Sequence, residues 1–325
     1  MCDIAENIEE RRDIEEKTLN GVKIKIIGIG KIGNNVINKM AVRDDIKANF
    51  IAVDAEKINL DNSKADTKIF VSSMISYEAV EGLKKQIKKD LEKTDMAFII
   101  AEMGEKTGTP ASAIIAEIAK SMDVLTVAIV SKPFKFEAPN KIKLAKKGKK
   151  RLKHFADTVI VIPYQKLNDL YANLSLANIY EKGEKAFVTI VKGILDLIKK
   201  QGIVNLDFAD IKSILQNSGK TVLGFGKADG EDRAKKAVEQ ALNTPLLDRS
   251  IKGAGKILMN ITSGNDIRLE EISKIATAVA KSSENPELFL AWGTVFEETK
   301  FENSEDFEQK GSCVKVYLIA TDFGD

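Results

Sequence analysis

Histidine is almost absent from this 325-residue chain, with His154 standing alone. Catalysis built on imidazole, or a histidine-rich metal site, has no material to draw on, and no metal site is expected. Cysteine is nearly as scarce. Cys2 and Cys313 offer neither metal-binding spacing nor a disulfide framework, which suits a reducing compartment. No apolar run reaches the roughly 18 residues of a membrane-spanning helix. The opening MCDIAENIEERRDIEEKTL is charged throughout and lacks the apolar stretch of a signal peptide. An excess of one charge is missing too: 50 Lys and Arg face 48 Asp and Glu, a net +2 that names no partner. Together the absences predict a cytoplasmic protein that does not insert into membranes. Hydrophobic residues at 44% and charged residues at 30% are ordinary for a globular chain long enough for two cores.

What is present begins with VKIKIIGIGKIGNNVINKM, residues 22–40. An apolar strand leads into Gly28, Gly30 and Gly33, spaced G-x-G-x-x-G, and then a helix expected near 33–43. A second strand, FIAVD, ends in Asp54. This matches the fingerprint of a dinucleotide-binding Rossmann unit, with the acid placed to hold a ribose. A nicotinamide oxidoreductase is therefore one reading.

Strands and helices keep alternating. TKIFV, MAFIIAEM, VLTVAIVSKPF and DTVIVIPY read as strands, with helices near 77–93, over ASAIIAEIAKSM and near 140–154. Continuous apolar strands between amphipathic helices predict a parallel sheet covered on both faces. Residues 3–18 read as a solvated charged helix. A long helix is expected from about Leu174 to Lys200, in spite of Gly183 and Gly193, which each cost about 1 kcal/mol against alanine and so require packing support. Asp207 or Asp210 is placed to cap the helix after it. KILMNITSG and CVKVYLIATDF then read as strands, with helices near 231–242 and 268–281 and a polar loop over 300–312. The predicted organisation is an arm at 1–20, a nucleotide-binding domain at 21–173, a central helix at 174–202, a loop and helix at 203–221, and a smaller α+β domain at 222–325.

A second glycine-bearing turn, Gly104 to Pro110, follows MAFIIAEM and opens a helix. Its glycines allow close backbone approach, and exposed N–H groups at a helix start favour anions. Thr107 and Thr109 add hydroxyls, and Pro110 suits the first helical position. The turn reads as a phosphate cradle. Lys31 and Lys106 bring positive charge to the two turns. A simple dinucleotide domain needs only one of them.

From Lys23 to about Phe323 the chain resembles FtsZ, the prokaryotic relative of tubulin. The resemblance rests on GIGKIGNN, on GEKTGTP where the family has G-G-G-T-G-T-G, and on KPFKFE, DTVIVIP, TPLLDRSIKGAGKILMNITSG and LIAT. Its most specific element is NLDFAD (205–210), similar to the family's synergy loop. The resemblance implies the tubulin/FtsZ fold and GTP rather than a nicotinamide. It implies that Gly28, Gly30, Gly33, Asn34, Gly104, Thr107, Gly108 and Thr109 hold phosphates. Asn34 or Asn35, Glu137, Tyr180 and Glu184 would hold ribose and guanine, with Lys141 in place of a pocket arginine. It implies Mg2+ carried by phosphates and water. Asp207, Asp210 and Asn205 would act in trans on a neighbouring subunit's nucleotide, coupling hydrolysis to head-to-tail filaments, with division proteins as further partners.

The chain also departs from the family pattern. Glu105 and Lys106 replace two glycines of the phosphate turn. Asp54-Ala55-Glu56 stands for an N-T-D triplet, Tyr164 for a base-contacting asparagine, and Pro139 precedes Lys141. Only SSMIS remains where the family has a glycine-rich γ-phosphate loop. Two readings follow: a GTPase that assembles for cell division, or a structural filament protein with a degenerate nucleotide site. Finally, Lys132 to His154 holds nine lysines and one arginine against the single acid Glu137. It reads as a solvated helix face; the alternative is an anionic partner, whether membrane surface, nucleic acid or acidic protein tail. Nucleic acid is not expected.

Overall fold

A computed structural model describes residues 17–71, 77–170, 174–198, 204, 206–243, 250–296 and 312–323. The expected N-terminal helix lies outside these residues except at its end, where Thr18–Leu19 forms a short strand, β1, antiparallel to the next. The polar loop at 300–312 lies outside them too, apart from Ser312.

The first half alternates as its hydrophobic pattern requires. Its elements are β2 (Val22–Ile29), α1 (Gly30–Met40), β3 (Asn49–Asp54), α2 (Lys57–Asp61), β4 (Thr67–Phe70), α3 (Tyr77–Asp90) and β5 (Met96–Glu102). There follow α4 (Gly108–Ser121), β6 (Leu125–Lys132), α5 (Pro139–Phe155), β7 (Thr158–Pro163) and α6 (Tyr164–Leu170). The short α2 and α6 carry too few residues to show a period. Helix α1 begins earlier than its apolar spacing suggested, because Gly30 turns the chain out of β2 at a φ of +70°.

Strands β2 to β7 pair in parallel, in the order β4-β3-β2-β5-β6-β7. Burial on both faces explains why they read as apolar runs. On β5, Phe98 and Ile100 enter one core while Ala97, Ile99 and Ala101 enter the other. Each fully buried isoleucine in these layers contributes about 1.5–3 kcal/mol. Helices α3, α4 and α5 pack on the second core. Helices α1 and α2 pack on the first, together with α7 (Leu176–Ile198).

Helix α7 has 23 residues, so it runs roughly 34 Å. Its two glycines are explained by packing. A Cβ at Gly183 would lie 2.4 Å from the Tyr164 ring, and one at Gly193 would lie 2.8 Å from Tyr317. The helix descends the sheet: Glu184 meets α1, and near the far end the Ile198 carbonyl accepts from Asn20, which precedes β2. The chain therefore leaves α7 at the amino ends of the strands.

Then come α8 (Phe208–Leu215), β8 (Gly219–Lys220), which joins the first sheet beside β7, and β9 (Val222–Ala228). They are followed by α9 (Arg233–Leu242), β10 (Ala254–Ser263), α10 (Leu269–Ser283), β11 (Phe289–Phe296) and β12 (Val314–Phe323). This second sheet runs β11-β10-β12-β9, with only β10 and β11 parallel. One face packs on α9 and α10, while Leu223, Leu258, Ala291 and Ile319 on the other share a core with α7 and α8. Arg233, nearly buried, ties this half together: it forks onto Glu271 at 2.8 and 3.0 Å, and pairs with Asp266 at 2.6 Å.

Candidate nucleotide site

Strand order reverses between β2 and β5, which lie side by side but lead to connections in opposite directions. Such a switch point opens a crevice at the carboxyl ends of the strands. The turn 28–33 follows β2 and the turn 104–109 follows β5, so both flank that crevice.

The first turn is held by close backbone approach. A Cβ on Gly28 would lie 2.4 Å from the Gly33 carbonyl oxygen, and one on Gly33 would lie 2.8 Å from that of Ile100. Gly28 and Gly33 thus seat α1 against β2 and β5, while Gly30 turns the chain. In the second turn Gly104 has a φ of +102°, and a Cβ there would lie 2.7 Å from the Lys141 side chain. Thr109 is buried, and its hydroxyl accepts from the Gly104 amide at 2.8 Å, bracing the turn from inside. Helix α4 starts at Gly108, so Pro110 falls third rather than first in it.

Neither α1 nor α4 has a side-chain N-cap or an acid in its first turn. The leading N–H groups of a helix need partners. The Thr109 amide finds one in the Glu105 carbonyl at 3.1 Å, but neither helix start has a side-chain cap, and both face one crevice. Lys31 and Lys106 are both exposed beside them.

Further along the crevice, Asn34 is buried and donates to the Gly30 carbonyl and to Asp54 at 3.0 Å. Its Oδ1 has no hydrogen-bond partner. A buried acceptor of this kind is costly unless a ligand or water donates to it. Asp54, the acid that suggested ribose binding, is also buried. It accepts from Asn34, from Asn59 at 2.9 Å and from the Glu56 amide at 3.1 Å. Its carboxylate holds the loop after β3.

Glu184 reaches across from α7. It accepts from Asn35 at 2.8 Å and pairs with Lys39 at 2.8 Å, which joins α7 to α1. Tyr180, one turn earlier and half-buried, stands edge-on to Tyr164 and Phe134 with centroids 5.1 and 5.9 Å apart. Burial raises the phenol pKa of Tyr164 and, less so, of Tyr180, and the Glu102 charge adds to both.

Lys141 is the most crowded charge in the site. Glu105 and Glu137 each lie 2.6 Å from its ammonium and Glu102 lies 3.0 Å away. Burial opposes the charged lysine, but the three carboxylates outweigh it and hold its pKa well above the ordinary value. Burial likewise raises Glu102 above the usual carboxylate range, against the pull of Lys141. Glu137 also accepts from the Phe134 amide at 2.8 Å.

Glu102 and Lys39 escaped the sequence reading. Glu102 is a lone carboxylate ending an apolar strand. Lys39 lies one helical turn beyond Asn35, a spacing that puts both on one face.

Asp207 and Asp210 lie elsewhere. Asp207 caps α8, accepting from the Asp210 amide at 2.8 Å, and Asp210 accepts in return from the Asp207 amide at 3.3 Å. Both are exposed. Helix α8 is tied to the amino ends of the strands, where Lys212 meets Asp123 just before β6 and the Asn217 amide meets Asp157 just before β7. The two acids are thus separated from the glycine turns by the depth of the sheet. Asn205 and the SSMIS segment lie outside the described residues.

The model of the tubulin/FtsZ family GTPase domain matches residues 23–172, and that of the FtsZ family C-terminal domain matches 219–324. Cell division protein FtsZ 1 of Methanocaldococcus jannaschii is 34% identical, over 96% of this chain and 86% of its own length. The Thermococcus kodakarensis protein of the same name is 36% identical, over 98% and 86%. An empty FtsZ dimer structure from M. jannaschii superposes with a TM-score of 0.82 at 33% identity, covering 93% of this chain and 88% of that one. The crevice at the strand-order reversal, the second domain behind it and a sequence likeness spanning both lead to one assignment: this chain belongs to the tubulin/FtsZ family and is an FtsZ-like cytoskeletal GTPase.

Proposed function

We propose that subunits stack head to tail, and that GTP held by one subunit is hydrolysed with Asp207, Asp210 and Asn205 of the next. The observation that carries this reading is the separation of parts. Two helix starts without side-chain caps face a crevice at one end of the sheet, and two exposed carboxylates sit at the other. A chain that cannot bring its own acids to its own nucleotide needs a second copy, and such a heterologous contact propagates as a filament.

The GTPase domain binds GTP and GDP. In this reading its phosphates lie on Gly28, Gly30, Gly33, Gly104, Thr107 and Gly108, with Lys31 and Lys106 adding charge. Thr109 supports the turn from below. Glu184 accepts from guanine's adjacent N–H donors, Tyr180 packs on the ring, and Asn34 Oδ1 takes a donor from the nucleotide. Glu137 and Lys141 face the ribose. Mg2+ would be held by phosphate oxygens and water, as suits an ion that dehydrates reluctantly. Asp207 and Asp210 would orient the attacking water. We divide the chain into a nucleotide unit at 21–173, a connecting segment at 174–202 that contains α7, a catalytic segment at 203–221 that contains α8, and a second domain at 222–325. The relatives' name, cell division protein, supports a role in cell division; a cytoplasmic setting and division-protein partners belong to the same proposal. Among the described residues no helix is long and apolar enough to cross a membrane.

A second reading, a structural filament with weak or no hydrolysis, is favoured by Lys141. Three glutamates surround its single charge, which leaves this side of the crevice acidic where an anion must bind.

Mixing decides. Asp210→Ala should bind nucleotide like the parent and lower parent turnover more than dilution does, at fixed total protein above the assembly threshold. A rate that falls only with the parent fraction would mean that one chain completes the site. Pelleting with GTP, GDP and no nucleotide, with phosphate release measured alongside, separates the enzyme from the inert filament.

A further inference from the structure

Helix α5 contains no Asp or Glu. Its apolar side, Ala145, Gly148 and Leu152, is buried against α4 and the second core. Its outer side carries Lys143, Lys146, Lys147, Lys150, Arg151 and Lys153, all exposed. The spacing of Lys143, Lys146, Lys147 and Lys150 puts them on one helical face. From Lys143 to Lys153 the stripe spans roughly 15 Å, so neighbouring lysines lie within about one 8 Å screening length of each other at physiological salt. Helix α3 lies in the same layer across α4 and adds the exposed Lys85, Lys88 and Lys89. Across the described side chains of α3, α4 and α5, acids are few: Glu81 pairs with Lys84, Glu117 pairs with Arg151, and Asp90 is buried.

We infer that this face docks on an anionic lipid surface. Protein partners are recognised through aromatic and apolar cores with lysine depleted, but the exposed large hydrophobic residues, such as Ile58, Phe136 and Leu269, all lie off these three helices. Readers of nucleic acid rely on arginine forks and aromatic stacking. Here the only arginine is engaged by Glu117, and the half-buried Phe155 packs on the core. A broad, lysine-dominated, apolar-poor face suits diffuse negative charge, where each lysine near the surface strengthens binding about fivefold. The apolar side of α5 is already in the core, so attachment is electrostatic and reversible, without insertion. The inference needs only the single chain; stacked subunits would add avidity.

Flotation of the full GDP-bound chain with vesicles tests it, using phosphatidylcholine alone and an equal mixture of phosphatidylcholine and phosphatidylglycerol. The mixed vesicles should carry the protein, the neutral ones should not, and added salt should release it. Combined Lys146→Glu, Lys147→Glu and Lys150→Glu should weaken binding at least about tenfold and leave GDP affinity unchanged. Lys235→Glu, Lys236→Glu and Lys281→Glu, on the second domain, make the same change in net charge and should leave binding nearly intact. If the first triple variant fails to fold, glutamine at the same three positions should still weaken binding severalfold. Equal floating with both vesicle types, or equal loss from the two triple variants, would overturn the inference. Tighter binding to duplex DNA than to the mixed vesicles at matched salt would overturn it as well.

Discussion

The two ends of the parallel sheet solve the same problem in opposite ways. At the carboxyl end α1 and α4 begin without side-chain caps and without first-turn acids. At the amino end α8 begins with a reciprocal cap in which Asp207 and Asp210 satisfy each other's amides. The first end offers no side-chain acceptor to its leading N–H groups, which the proposed mechanism gives to phosphate. The second closes its helix with the two carboxylates that hydrolysis would use, which fixes their orientation before any partner arrives. In the proposed mechanism the open end takes the phosphates and the closed end acts on them.

Removing charge from the closed end without removing its cap breaks the comparison most sharply. Asp210→Asn keeps an acceptor for the Asp207 amide, and Asp207→Asn keeps a residue that caps as well as aspartate. Each should lower GTP hydrolysis by about 10²–10⁴-fold with melting temperature and nucleotide affinity nearly unchanged. Phosphate release beside a thermal melt checks it; full activity in both variants would place the chemistry elsewhere.

At the open end the expected damage is structural. Gly33→Ala drives a Cβ to within 2.7 Å of the Gly28 carbonyl carbon. It should destabilise the fold by about 1–3 kcal/mol, seen in urea unfolding, and abolish nucleotide binding as α1 shifts.

Glu184→Gln is gentler. It removes the charge shared with Asn35 and Lys39 and should narrow the preference for guanine over adenine nucleotides by about tenfold, read by competition against a labelled guanine nucleotide. Unchanged selectivity would remove Glu184 from base recognition.

Lys106→Gly restores the family residue. If Lys106 supplies charge to the phosphates, the change should weaken affinity a few-fold, within the roughly 1 kcal/mol typical of an exposed pair. Tighter binding on titration would mean that the lysine obstructs.

The smallest effect lies outside both ends. Burial tends to raise the Asp266 pKa, but Ser312 and Arg233 overcome it and hold the group at about 2, below the ordinary 3.8. A depressed folded value stabilises above the unfolded pKa and is lost as pH falls from about 4 towards 2. Discounted for its partial exposure, the loss is about 1 kcal/mol. A melt of Asp266→Asn against the parent at neutral and acid pH should show the difference shrinking.

The alternation of strands and helices was legible because burial on both faces of a parallel sheet leaves apolar runs, and because α4, α7 and α10 are long enough to show a helical period. The short α2 and α6 were not, and β1 is only two residues long. The α8 cap follows from local geometry, and the spacing of the glycines marks the turns of the candidate site, although Ile100 and Lys141, which press on Gly33 and Gly104, are distant in the chain. The readings of Asp54 and Lys141 were less complete. Asp54, which the dinucleotide reading gives to ribose, is buried and accepts from Asn34 and Asn59, partners its sequence neighbours do not reveal. Lys141 looked like a simple substitute for arginine until three glutamates from β5, the second turn and the start of α5 converged on it.

The sequence by itself determined the order of elements, the two glycine turns and the cap of α8, since each depends on backbone sterics or on residues a few positions apart. Tertiary structure alone decided which side chains answer one another across elements. Glu184 meets Lys39 because α7 crosses α1, Glu102 is buried against Lys141 because α5 begins under Gly104, and Asp210 lies a sheet's depth from the glycine turns because α7 carries the chain there. Charge pairing and burial depend on distance through space, and only the packed sheet and helices bring these residues close or keep them apart.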